Sequence, residues 1–185
     1  SSLWLCTAAM AQDKPAAAPM EAGLPVSMSG FSDEGEFRLY VNEDAIVTTT
    51  FEWRKDGSFD EQVILSMAGQ KVETTMKFAP DDQGRFLRID VKMPQGPQSF
   101  EREGSTLTFK FKEKTTTLTI KPESVPFENM SPALMTLAVR RYDQVAGGKQ
   151  TFPILILNGP VIMDGSLERL ERLERSVDGK DLKLV

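Results

Sequence analysis

Glu101 and Glu103 flank Arg102, and on an extended strand two carboxylates two residues apart share one face. Such a pair has the residue types for general acid and base work. The same Glu/Arg/Lys habit recurs on the outward faces along the chain, so the plainer reading is a solvated edge with paired charges. A second group, Arg140, Arg141, Tyr142 and Asp143, closes a helical segment, where cations complement the carbonyl-end dipole. Its functional reading makes Arg141 a clamp for an anionic head group or a partner carboxylate at the rim of a sheet. Asp81-Asp82-Gln83-Gly84 offers oxygen donors for calcium, but it lacks the downstream bidentate Glu of an EF-hand, and turn chemistry accounts for it. No metal and no cofactor are expected.

A third group is apolar. Phe51, Trp53, Met67, Met76, Phe78, Met93, Phe109 and Phe111 all fall on the inward phase of alternating segments. Met adapts to varied apolar surfaces, so these side chains suit a groove for a lipid or a hydrophobic peptide. A packed core requires the same residues. The candidate ligand-binding set is Trp53, Met67, Met76, Phe78, Met93, Phe109, Phe111 and Arg141, with no catalytic residue in it.

Composition removes most chemistries. The 185 residues contain no histidine, which excludes Ser-His-Asp and Cys-His nucleophiles, the H-E-x-x-H zinc site and any imidazole base. The G-x-S-x-G, S-x-x-K, Walker and G-x-G-x-x-G patterns are also missing from the sequence. A net charge of −5 argues against a phosphate-tracking surface, so nucleic acid is not an expected partner.

Residues 1–11 read as the tail of a secretory signal, an apolar run followed by Ala9 and Ala11 in the A-x-A arrangement, with cleavage expected after Ala11. The expected location is therefore periplasmic or extracellular. The one cysteine, Cys6, lies inside that segment and follows Leu5 rather than the small residue a lipoprotein signal needs. Residues 12–33, rich in Ala, Pro and Ser, read as a flexible tether. No later apolar stretch approaches the roughly 20 residues of a membrane-spanning helix. The sequence ends over Lys180 to Val185 in what reads as the start of another strand, so a longer protein continuing past Val185 is expected.

From Glu34 onward the pattern is period two, broken by turns at Asn42-Glu43-Asp44, Asp56-Gly57, Gly69-Gln70, residues 80–84, Pro94 to Pro97 and Lys112-Glu113-Lys114. Leu87, Ile89, Val91 and Met93 are expected to face inward. Six to eight strands with tight connections imply antiparallel pairing. Ser131-Pro132 then starts a helix over about 132–143, ended by Gly147-Gly148, and residues 152–157 read as a buried strand. Residues 167–175 carry a three-residue repeat that flanking Asp-Gly turns favour as strand. The fold class is mainly β (α+β), a single domain over 34–185: a curved antiparallel sheet or an unclosed β-barrel wrapped around one helix.

The Ser-Pro-capped helix, the RRYD of residues 140–143 and the GGKQTFPILIL of residues 147–157 resemble the order found in periplasmic proteins whose unclosed β-barrel wraps a helix, the lipoprotein-localisation carriers. Residues 35–39, 69–70 and 142–153 are also similar to the β-rich domain preceding an α/β-hydrolase in some secreted bacterial peptidases and esterases. The first resemblance implies a lipid or lipoprotein carrier. The second implies a non-catalytic front domain for which any hydrolase activity lies beyond Val185. The reading from both is an exported β-domain that binds or positions a lipid, a hydrophobic peptide or an adjoining catalytic domain, with an enzyme built on Glu101 and Glu103 as the remaining alternative.

Overall fold

The structure, a computed structural model, describes residues 28–67, 69–128 and 130–169, together with the backbone course of Leu173–Val177 and Lys180–Leu184. The expected signal and most of the expected tether lie outside these residues. Met28 and Phe31 belong to the packed domain: Met28 is buried, the Gly30 amide donates to the Lys55 carbonyl, and the Phe31 ring meets Trp53 edge-on at 5.9 Å. The domain thus begins ahead of Glu34, where the alternation starts.

The alternating segments form one antiparallel meander of eight strands. Its members are β1 (Asp33–Val41), β2 (Asp44–Trp53), β3 (Phe59–Met67), β4 (Gln70–Pro80), β5 (Phe86–Met93), β6 (Gly96–Glu103), β7 (Thr106–Phe111) and β8 (Lys114–Thr119). Each pairs with its sequence neighbours, and β1 is not paired with β8, so the sheet is open. Cross-strand partners share a face. The register therefore stacks the inner face in rows.

One row runs Trp53, Phe59, Phe78, Ile89, Phe100, Phe109. It forms the dry part of the core, where Phe59 stacks on Phe78 with centroids 4.9 Å apart and Trp53 tilts onto Phe59 at 4.7 Å. The next row runs Gly35, Phe51, Glu61, Met76, Val91, Gln98, Phe111. Gly35 leaves room there for the Phe51 ring that crosses it, since a Cβ would lie 2.9 Å from the ring tip and force it to shift. Beyond it, Leu39, Val47, Leu65 and Val72 make an apolar row that is buried at Val47 and exposed at both ends.

Two register breaks separate the strands from their simple alternation. Between β4 and β5 the pairing jumps from Ala79 with Arg88 to Pro80 with Phe86. The bulge leaves Leu87 without a partner and turns it to solvent while Phe86 takes the buried position, correcting the inward placement expected of Leu87. A second break lies between Leu39 and Tyr40 of β1.

A smaller layer covers part of the inner face. It contains β9 (Val125–Phe127), the helix α1 (Pro132–Arg140), β10 (Lys149–Ile156) and β11 (Val161–Glu168). The three strands form a sheet in the order β11, β10, β9, with β9 parallel to β10 across the helical crossover and β11 antiparallel. Ser131 caps the helix, its Oγ accepting from the Leu134 amide at 3.1 Å, and Pro132 occupies the first turn. The helix is shorter than the expected 132–143. The amides of Arg141 and Tyr142 bond back three residues, to Ala138 and Val139, which tightens and ends the last turn at Arg140. Ala133, Leu134, Leu137 and Ala138 pack into the core.

The segment 167–175 takes the extended form where it is described, ending β11 and entering β12 (Leu173–Val177), which pairs antiparallel with β13 (Lys180–Leu184). Among the described residues no helix is long and apolar enough to cross a membrane.

Candidate functional site: an apolar groove on the inner face

The smaller layer covers the aromatic row and stops short of the far ends of β3, β4 and β5. Between the two layers lies a groove of about 160 Å³. Its floor is Val63 and Leu65 of β3, Val72 and Met76 of β4, and Val91 and Met93 of β5. The opposite wall is Met130, just before the helix, and Leu157, just after β10.

The lip is polar and fixed. The Glu128 carboxylate accepts from the Met130 amide at 2.8 Å and from the Asn158 side-chain amide at 3.1 Å. On the other side the Gln98 side-chain amide reaches the Met93 sulfur at 3.5 Å. Apolar walls with a few placed polar groups are the usual make-up of a site that takes an apolar group in one orientation.

Glu61 stands where the groove meets the packed core. It occupies an inward position of β3 between Phe51 and Met76, only 3% exposed, and the start of α1 lies over it. One carboxylate oxygen accepts from the Ala133 amide at 3.4 Å and the other has no partner. Burial pushes its pKa up to about 7, against the Ser131 hydroxyl and Ala133 amide bonds that favour the ionised form; the Glu128 charge adds to the rise. Thr49, also fully buried, donates to the Met130 carbonyl at 3.2 Å. Thr49 and Glu61 together tie the helix start, and with it one wall of the groove, to the sheet.

Of the candidate ligand-binding residues, Met76 and Met93 meet in the groove. Trp53 and Phe78 are consumed by the aromatic core, and Phe109 packs against Phe100 at 4.8 Å. Phe111 lies half-buried on the last inner position of β7, with the Lys112 ammonium 5.2 Å over its ring. Met67, expected on the inner face, is 65% exposed, because β3 ends there at the turn to β4, past the reach of the covering layer. Arg141 lies away from the groove, buried behind the loop before β9, where its guanidinium donates to the Glu123 carbonyl. Glu128, Met130 and Asn158 carry no periodic signal in the sequence, and Leu157 is signalled only as the end of the apolar run 152–157. Glu61 does: it breaks the apolar phase of Phe59, Val63 and Leu65.

The Glu101 and Glu103 pair behaves as a solvated edge. Glu101 accepts from Arg88 and from Lys110, each at 3.0 Å, on the outer face, while Arg102 between the two turns inward. Two shallow outer depressions of about 430 Å³ are lined by charged side chains, among them Lys77 paired with Asp60 across β3 and β4 and Arg88 paired with Asp90 along β5. Among the described residues there is no group of three or more carboxylate, Cys or His side chains placed to hold a metal ion.

No family model, no curated protein and no solved structure matches this chain.

Proposed function

We propose that this is an exported, non-catalytic β-domain whose inner-face groove receives an apolar group of a partner, an extended hydrophobic peptide or a segment of an adjoining domain. The observation that carries this reading is the groove itself: apolar side chains of three strands line a gap where the second layer stops, with Val72 exposed, Val63, Leu65 and Met93 half-buried, and Met76 and Val91 at its buried inner end. Its volume of about 160 Å³ is below the ~300–1,000 Å³ of pockets that enclose a whole small molecule. It matches one or two side chains inserted from a larger body. The export reading rests on the A-x-A pattern at Ala9 and Ala11.

The Met lining and the open sheet favour a second reading, a lipid or lipoprotein carrier built as an unclosed barrel around α1. Under it, acyl chains fill the groove and spread along the exposed ends of the Leu39 to Val72 row. Native mass spectrometry of the protein recovered from the periplasm separates the two. The partner reading gives the bare protein mass, and the carrier reading gives a stoichiometric lipid adduct that detergent removes.

A further inference from the structure

Arg102 and Arg141 are both buried, at 6% and 9% exposure, and their guanidinium groups hold the carbonyls of consecutive residues. Arg102 donates through Nη2 to Pro122 at 3.3 Å and through Nε to Gly104 at 2.9 Å, and Arg141 donates to Glu123. A carbonyl satisfies a donor without neutralising a charge. Among the described residues neither guanidinium has a carboxylate within 4 Å: Asp81 is engaged by Arg85 at 2.7 Å, and Glu123 presents its backbone oxygen instead. Desolvation pulls both arginines below their ordinary range, helped by the Arg85 charge at Arg102 and by the Arg102 charge at Arg141, which falls to about 10; the more distant Asp81 and Glu123 carboxylates only partly offset this. Both remain cationic at neutral pH.

The same loop buries a further donor. Ser124 follows Pro122 and Glu123, is 1% exposed, and its hydroxyl has no hydrogen-bond partner. Arg102 Nη1 is likewise buried without a partner, and the Phe86 ring lies 5.5 Å beneath the guanidinium. Two cations that meet only carbonyl oxygens, with two further donors left unused around the same turn, make a chemistry that an anion completes.

We propose that the Arg102, Arg141 and Ser124 cluster is a binding site for a small oxyanion, of the phosphate or carboxylate type. The planar fork of a guanidinium matches a two-oxygen acceptor better than a spherical halide. The enclosure of all three side chains selects a free ion over a head group on a macromolecule, and admission requires the turn over residues 121–124 to open. This site is separate from the apolar groove, whose occupancy it neither requires nor reports.

The test is thermal unfolding of the 185-residue protein at constant ionic strength in inorganic phosphate, acetate or chloride. Phosphate or acetate at about 100-fold above its Kd raises the Tm by roughly 5 °C or more over chloride. The increment disappears in Arg102→Gln, and Ser124→Ala, which leaves both arginines in place, weakens the apparent affinity about tenfold. Equal Tm values in all three salts overturn the proposal, as does an oxyanion increment that survives both substitutions.

Discussion

The Glu61 carboxylate meets the Ala133 amide at 3.4 Å, joining the middle of β3 to the first turn of α1 across the boundary between the closed core and the open groove. A carboxylate at a helix N-terminus is favoured by the helix dipole, and a carboxylate taken out of water is not. Here burial wins, and the pKa rises from 4.5 to about 7.

That shift fixes the sign of a pH effect. The folded pKa is above the unfolded one, so the contribution of Glu61 to stability is fully present below pH 4.5 and is lost as pH rises through about 7. The loss is on the order of 3 kcal/mol. Asp56, Asp60 and Asp81 act in the opposite sense, since their hydrogen bonds hold them below 3.8 and their contribution is lost only as pH falls further. Urea unfolding at pH 5 and pH 8 separates the two: Glu61→Gln flattens the decline between these values, and an unchanged decline contradicts this role.

Phe59→Ala removes a fully buried ring stacked on Phe78 and tilted against Trp53. A loss of about 3–5 kcal/mol is expected in equilibrium unfolding. A loss below 1 kcal/mol would mean that the aromatic row is not the core.

Gly57 closes the turn between β2 and β3 with φ at 82°, bonding its amide to the Arg54 carbonyl at 2.8 Å. The space around it admits a methyl group at 3.4 Å from Met28 and Pro80, so Gly57→Ala reports the left-handed backbone rather than a clash. The expected cost is about 1–2 kcal/mol. Gly69→Ala, also left-handed and with open space around it, serves as the comparison at the next hairpin and loses a similar amount.

Much of this fold is visible in the alternation of residues 34–120, because a period of two with small turn residues at each break leaves an antiparallel meander as the economical solution. The bulge at Leu87 is invisible in it, since one extra residue reverses the facing of the side chains without changing their types. The start of α1 is legible in Ser131-Pro132; its end depends on backbone bonds at Arg141 and Tyr142 that no residue type announces. The parallel pairing of β9 rests on three residues, one of them Pro126, too few for a periodic signal. The groove was legible only by halves. Its floor follows from the strand phase of Val63, Leu65, Val72 and Val91, whereas the wall at Met130 and Leu157 depends on where a second layer stops.

Tyr142 links the loop after α1 to the end of β11, its hydroxyl donating to the Gly148 carbonyl at 2.8 Å and accepting from the Arg169 amide at 3.2 Å. Tyr142→Phe therefore loses about 1 kcal/mol and exposes the Arg169 amide to faster hydrogen exchange. Unchanged exchange at Arg169 would remove this tie.

The central claim is that the inner-face groove takes an apolar group, and methyl NMR during titration with decanoate tests it most directly. The account predicts saturable shifts confined to Val63, Leu65, Val72, Val91, Met93 and Met130, weakened at least tenfold by Met93→Lys. An absence of saturable shifts, or shifts at the exposed edge of Phe37 and Leu39 that Met93→Lys leaves unchanged, contradicts it.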